Sequence, residues 1–239
     1  MAVTLLIIAT RNAHKVQEIR AVLSSNQFSY RTLNDFPGAP TVVEDAGSFS
    51  GNASKKSVEL ASWLAATLQA LPQATAGAAV EEIFCLADDS GLEVGALHGA
   101  PGVHSARFAA LDTGSAANSS DQANNAKLLR LLAGRPATER TARFQCVIAL
   151  TPVLPVNAAP ASPICYAQEA ELRTELFEGT CEGRISDTPR GQRGFGYDPL
   201  FIPDNFTESF AELGDEVKNR ISHRAQALQK VREWFARKG

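Results

Sequence analysis

Cysteine is scarce, and its placement argues against a metal framework. The chain has four, Cys85, Cys146, Cys165 and Cys181, with no C-x-x-C pair and no histidine at ligand spacing. Reduced, mostly buried thiols are therefore expected rather than zinc ligands. Long hydrophobic runs are missing too. The apolar stretch Val3 to Ala9 is far short of the roughly 20 residues a membrane helix needs. It has no basic segment before it, and polar residues follow at once. It reads as a buried strand, and the chain reads as cytoplasmic with no membrane partner. An excess of one charge is also absent, since 23 Lys and Arg stand against 26 Asp and Glu for a net charge of −3. That balance gives no broad positive field for nucleic acid, so any phosphate must be held by a local cluster. Neither a P-loop nor a G-x-S-x-G elbow occurs, and the glycine order is wrong for a dinucleotide fingerprint. Three N-x-S/T sequons, at Asn52, Asn118 and Asn205, mean nothing without secretion.

What is present is ordinary globular material: 239 residues, 44% hydrophobic and 21% charged, enough to bury a substantial core. A strand over 3–9 leads to a helix capped by Asn12, with Val16, Ile19 and Leu23 along one stripe. A strand over 28–33 ends in the Pro/Gly turn 36–40, and a helix is expected over 53–71. Ile83 to Ala87 is another buried strand, running into Asp88-Asp89-Ser90-Gly91. A helix over 121–132 and strands over 142–150 and 167–177 follow, and the last helix starts near Ser222 with Leu228, Val231 and Phe235 on one face. The stretches 71–80 and 152–163 read as surface loops. No repeat is visible, and the mixture points to one α/β fold.

Four segments carry the residue types of a nucleotide site. Thr10-Arg11-Asn12-Ala13-His14-Lys15 sits at a strand-to-helix junction, where N–H groups and the helix dipole attract phosphate and two basic side chains add charge. An ordinary capped helix with solvated basic residues would look the same. Asp88 and Asp89 close a strand, and adjacent carboxylates there are costly unless a cation or proton intervenes. Magnesium shared with substrate phosphates resolves that cost; a simple Asp/Ser/Gly turn is the plain alternative. Gly191 to Asp198 offers close backbone approach and the rings of Phe195 and Tyr197 for stacking. Lys218 and Ser222-His223-Arg224 bring donors, and an Arg fork matches the O6 and N7 acceptors of a 6-oxopurine. His98 and His104 have no evident partner and read as structural or surface residues.

Taken together and in this order, the segments resemble the inosine triphosphate pyrophosphatase family of non-standard purine nucleoside triphosphate pyrophosphatases. The matching pieces are Ala9 to Lys15, Glu44 to Ala53, Ala87 to Leu92 with Gly99 to Gly102 and Ser105 to Arg107, Gly194 to Pro199, and Ile221 to Arg224. The resemblance implies one domain over 1–239, with a long twisted mixed sheet, flanking helices in two lobes and an active-site cleft between them, usually in a homodimer. It implies hydrolysis of ITP, dITP and XTP to monophosphate and pyrophosphate. Triphosphate contacts would fall on Thr10 to Lys15 and Lys56. Mg²⁺ would be held by Glu44 and Asp89, with Asp89 as base, Asp88 or Asp89 orienting water, and Ser90 touching substrate. Phe195, Gly196, Tyr197, Asp198, Lys218, His223 and Arg224 would read the base.

Two departures stand out. Many relatives have Gly where this chain has Arg11, and Glu where it has Gly51. The second removes a carboxylate near the expected metal, which either weakens metal binding or shifts that work to Glu44 and Asp45. Two other readings share the segments: a pyrophosphatase of similar fold acting on modified pyrimidine nucleotides, and a nucleotide sensor without turnover. A panel of bases separates the first, and pyrophosphate release the second.

Overall fold

The computed structural model describes residues 3–70, 80–115, 117–154 and 173–238. Its six strands form one sheet in the order β2-β1-β3-β4-β5-β6. In chain order these are β1 (Val3–Ile8), β2 (Phe28–Thr32), β3 (Val80–Val94), β4 (Thr141–Pro152), β5 (Glu175–Ile185) and β6 (Phe201–Pro203). β1 runs parallel to both β2 and β3, whereas β5 and β6 are antiparallel, so the sheet is mixed. The helices are α1 (Ala13–Val22), α2 (Phe49–Ala70), α3 (Asp121–Leu131), α4 (Phe210–Ile221) and α5 (His223–Lys238). The α/β class expected from the sequence is the one observed. None of the described helices is long and apolar enough to cross a membrane.

The chain divides into two compact units, Met1–Asp89 with Val147–Phe177, and Ser90–Cys146 with Glu178–Gly239. The first has its own core, where Leu5 and Ile7 of β1 and Cys85 and Ala87 of β3 pack with Leu60, Ala61 and Leu64 of α2. Burial pushes the Cys85 thiol up to about 12, so it packs as a small apolar group. In the second, Leu92 and Val94 of β3 pack with Leu128, Phe144, Tyr197, Phe201 and Phe210. Cys85, Cys146 and Cys181 are buried thiols outside any disulfide, as expected.

Local chemistry explains most element ends. Asn12 caps α1 and Ser120 caps α3 through their side chains, each satisfying N–H groups that the helix leaves unbonded. A capping box of Ser209 and Glu212 starts α4, which kinks at Gly214. α5 begins at His223, next to the Ser222 that its sequence marks, with the Ser222 hydroxyl accepting from the Ala225 N–H at 3.2 Å.

Three expectations are corrected. β3 does not stop before Asp88 but continues to Val94, because Leu92 and Val94 are buried and carry the strand past its polar centre. α2 begins at Phe49, not Ala53. The strand expected over 167–177 is seen from Glu175 to Ile185. Its inward positions are Phe177, Gly179, Cys181, Gly183 and Ile185, and the two glycines hide the alternation that would reveal it. Residues 71–79 of the loop expected over 71–80, most of that over 152–163, the start of the 167–177 strand and Cys165 lie outside the described residues, and Val80 already belongs to β3.

Gly179 shows how tightly β5 meets α5. A Cβ built there would lie 2.0 Å from the His223 carbonyl oxygen and 2.5 Å from the Ala227 nitrogen. Both are backbone atoms, so the helix must move. Gly179→Ala should destabilise the protein by about 2–3 kcal/mol, the upper range for overpacking, seen as a lower urea midpoint. A midpoint equal to wild type would show that α5 yields without cost.

Candidate active site

In the first unit, the site is built where β1 hands over to α1. The Asn12 side chain accepts from the His14 and Lys15 N–H groups at 3.0 and 3.2 Å, and the Thr10 hydroxyl accepts from the Asn12 N–H at 3.1 Å. Three amides that the sequence offers to phosphate are therefore already bonded to side chains. The turn presents charge instead. Arg11 is exposed and donates to the Ala39 carbonyl at 3.3 Å, Ala13 and His14 are exposed beside it, and Lys15 forms an ion pair with Asp88.

Lys56 of α2 completes this cationic set. Its ammonium donates to the Asp88 carbonyl at 3.0 Å and pairs with Glu44 at 3.0 Å. Successive residues of a strand point to opposite faces, so Asp88 and Asp89 meet different partners. Asp89 accepts from the Asn52 side-chain amide at 3.0 Å. Asn52, 1% exposed, also accepts from the Ala46 N–H at 2.9 Å, tying the 44–46 segment to the carboxylate. Nothing in the sequence beyond its place in the Glu44 to Ala53 stretch marks Asn52 for that task.

The electrostatics of Asp89 are unusual. Its pKa is raised to about 6, first by burial; Lys56 and Lys15 oppose the rise, Glu44 adds to it, and the Asn52 hydrogen bond lowers it. A buried carboxylate with that proton affinity gains from an added cation. Among the described residues no group of three or more His, Cys, Asp or Glu side chains is gathered for a metal ion. Glu44 and Asp89 instead fit the magnesium pattern, in which one or two carboxylates bind and phosphates and water fill the remaining positions.

Asp45 and Gly51 bear on the missing family carboxylate. Lys55 holds Asp45 at 2.6 Å in an exposed pair, and that hydrogen bond keeps the Asp45 carboxyl below its usual range. The Gly51 N–H donates to the Ser48 hydroxyl at 3.1 Å, and a Cβ at 51 would lie 2.7 Å from the Ala46 Cβ. A glutamate at 51 therefore requires the Ala46 segment to move.

The second unit holds the other candidates. Lys218 of α4 and Asp198 form an ion pair at 2.5 Å with both side chains almost fully buried. Asp198 also accepts from the Phe195 N–H at 2.9 Å. Gly194 allows this, because a Cβ there would lie 2.1 Å from an Asp198 carboxylate oxygen. The Lys218 ammonium lies 4.5 Å from the centre of the Phe195 ring, and the Arg224 guanidinium carbon 5.9 Å from it. Arg224 is 2% exposed and donates to the Ser90 hydroxyl at 2.8 Å. His223 stacks on Phe144, the ring centres 4.7 Å apart and 12° from parallel.

Tyr197 does not fit its expected role as a stacking face. It is 4% exposed in the apolar core, with its hydroxyl donating to the Ser105 carbonyl at 2.9 Å and its pKa pushed up by burial. Phe195 is left as the partly exposed ring of the segment. Asp121 and Asn125 of α3 are contacts that the sequence did not flag: they hold the two polar groups of the Gly196 backbone. Asp121 directly follows the Ser120 cap and reads as a first-turn helix residue, which conceals the contact.

Comparison with known proteins shows the family. The model of the Ham1 family matches residues 6–234. The dITP/XTP pyrophosphatase of Desulforamulus reducens is 42% identical over 228 residues, covering 95% of this chain and 94% of the relative. That of Geobacter sulfurreducens is 41% identical over 236 residues, covering 99% and 98%. Among solved structures, a HAM1 protein from Coxiella burnetii superposes with a TM-score of 0.73 at 30% identity, covering 99% of this chain and all of that one. The chain belongs to the Ham1 family.

Proposed function

We propose that this protein hydrolyses non-standard purine nucleoside triphosphates, ITP, dITP and XTP, to the monophosphate and pyrophosphate, and so clears them from the nucleotide pool. The observation that carries this reading is the cluster around β3, where Lys15 and Lys56 converge on Asp88 beside the buried Asp89. Cations that can meet a polyphosphate are held next to a carboxylate able to take a proton from water. The named activity of the relatives supports the purine triphosphate as substrate. With it we take a cytoplasmic setting, a homodimer and no nucleic-acid partner.

In this reading Lys15, Lys56 and Arg11 bind the phosphates, with Thr10, Asn12, Ala13 and His14 shaping the turn. Glu44 and Asp89 would hold Mg²⁺ together with the phosphates, and the ion would supply neutralisation of charge at the group under attack. Asp89 takes a proton from a water molecule whose oxygen attacks the α-phosphorus in line, while Asp88 keeps Lys15 in place. The bond from that phosphorus to the bridging oxygen breaks, and the leaving pyrophosphate is neutralised by the lysines. Phe195 stacks on the base, with Gly196 and Asp198 shaping that segment, Tyr197 anchoring it in the core and Ser90 steadying Arg224. Lys218, His223 and Arg224 provide donors to O6 and N7.

The direct test is a panel of purine and modified pyrimidine triphosphates with pyrophosphate as the readout. ITP, dITP and XTP should be consumed with Mg²⁺ and left intact in EDTA. Preference for a modified pyrimidine, or binding of ITP without turnover, would replace this reading.

Asp89→Asn should lower kcat by about 10²-fold or more, the scale of a lost acid–base group, with a smaller change in KM. Asp88→Asn should cost less, and equal losses would refute the division of roles. In EDTA the Asp89→Asn protein should also be more stable than wild type. The folded carboxyl titrates near 6 against 3.8 unfolded, so its ionised form costs stability above pH 6, and the gap closes as pH falls towards 4.

Selectivity gives a further check. Hypoxanthine presents an acceptor at position 6 where adenine presents a donor, and sites built for one such group reject its mismatch by roughly 10⁴-fold. Arg224→Ala should cut ITP cleavage and narrow the ITP-to-ATP ratio of kcat/KM. Phe195→Ala should weaken both substrates and leave the ratio nearly unchanged, because stacking is indifferent to the base. Equal loss for ITP and ATP in Arg224→Ala would make Arg224 a phosphate-binding or structural residue.

A further inference from the structure

Gly196 lies between the partly exposed Phe195 and the core residue Tyr197, and its φ of +61° is one that few other residues adopt. Both polar groups of its backbone are held by α3. Its N–H donates to the Asp121 carboxylate at 2.6 Å, and its carbonyl accepts from the Asn125 side-chain amide at 3.0 Å. Asp121 and Asn125 are four residues apart, so they stand one turn above the other on one face of the helix. One is a pure acceptor when ionised, and the other supplies the donor, so the pair is complementary to the N–H and the carbonyl of one residue, which belong to the two successive peptide groups on either side of its α-carbon.

A second observation concerns what the Asn125 contact costs. With its amide nitrogen turned to Gly196, its side-chain oxygen is buried and accepts no hydrogen bond among the described residues. Burying an acceptor in that way is unfavourable, and the arrangement that incurs it is the one that donates to Gly196. The neighbouring N–H, that of Phe195, is bound to Asp198. The backbone on both sides of the Phe195 α-carbon is therefore fixed by carboxylates, one from its own loop and one from α3. Its ring meanwhile lies against the cations of Lys218 and Arg224.

We infer that Asp121 and Asn125 are positioning residues for base recognition, clamping the Gly196 backbone on both sides of its α-carbon so that the ring of Phe195 is held ready for the purine. The inference rests on the proposed purine triphosphate activity and deepens it. Asp121 is exposed at the first turn of α3, so its replacement leaves the core untouched, and a carboxylate there also meets the positive end of the helix.

The test is steady-state kinetics on Asp121→Ala, Asp121→Asn, Phe195→Ala and the double variant Asp121→Ala/Phe195→Ala, with ITP and ATP. Asp121→Ala should raise KM for both by about tenfold, the scale of one charge-assisted hydrogen bond, with kcat within about twofold. Stacking acts alike on ground and transition states, so the loss belongs in KM. Asp121→Asn keeps an acceptor and should recover most of it. In the Phe195→Ala background the Asp121 change should add little, because both act on the same contact. Amide exchange at Gly196 should quicken in Asp121→Ala and not in Phe195→Ala. Unchanged KM, or losses that multiply in the double variant, would overturn the clamp while leaving the activity standing. A wild-type protein that cleaves no 6-oxopurine triphosphate would overturn both.

Discussion

Two adjacent carboxylates buried in the middle of a strand set the terms for everything around them in the first unit. Asp88 and Asp89 sit where β3 is covered, and charges placed there are unfavourable unless cations answer them. The answers come from two helices. α1 brings Lys15 to the Asp88 carboxylate, and α2 brings Lys56 to the Asp88 carbonyl and to Glu44. The compensation is incomplete, since Asp89 remains harder to ionise than a solvated carboxyl. An acid that is costly to keep ionised and lies beside cations suited to phosphate fits the catalytic role proposed for Asp89.

The second unit solves a different problem, the holding of a short glycine-rich segment in one shape. The buried Lys218–Asp198 pair closes it from one side through the Phe195 N–H, and α3 closes it from the other at Gly196. Tyr197 drives its ring into the core and secures its hydroxyl on Ser105. A loop of this composition would otherwise sample many conformations. Here the N–H groups of Phe195 and Gly196 and the Gly196 carbonyl are each held by a side chain, so the one partly exposed ring of the segment is presented with less entropy to lose on binding.

Much of the fold was legible because its signals are local. Asn12 and Ser222 mark helix starts by side-chain chemistry, and the apolar run of β1 marks a covered strand. What escaped was set by tertiary contact. β3 extends past its acidic centre because Leu92 and Val94 are buried, although Asp-Asp-Ser-Gly has the composition of a turn. β5 hides because Gly179 and Gly183 fill inward positions where α5 and β6 leave no room for a side chain. The candidate site was legible as an ordered set of segments. Its supports were not: Asn52 behind Asp89, and Asp121 and Asn125 behind Gly196, look like ordinary polar residues of helices. Tyr197 was read as a ligand face because aromatic residues beside glycine have the same composition in a stacking platform and in a core anchor.

The central claim, that water oriented beside Asp89 attacks the α-phosphorus of a 6-oxopurine triphosphate, is tested most directly by running the reaction in ¹⁸O-water with ITP and Mg²⁺ and weighing the products. The account predicts inosine monophosphate carrying one ¹⁸O and pyrophosphate carrying none. Label in the pyrophosphate, or release of the diphosphate with orthophosphate, would contradict it.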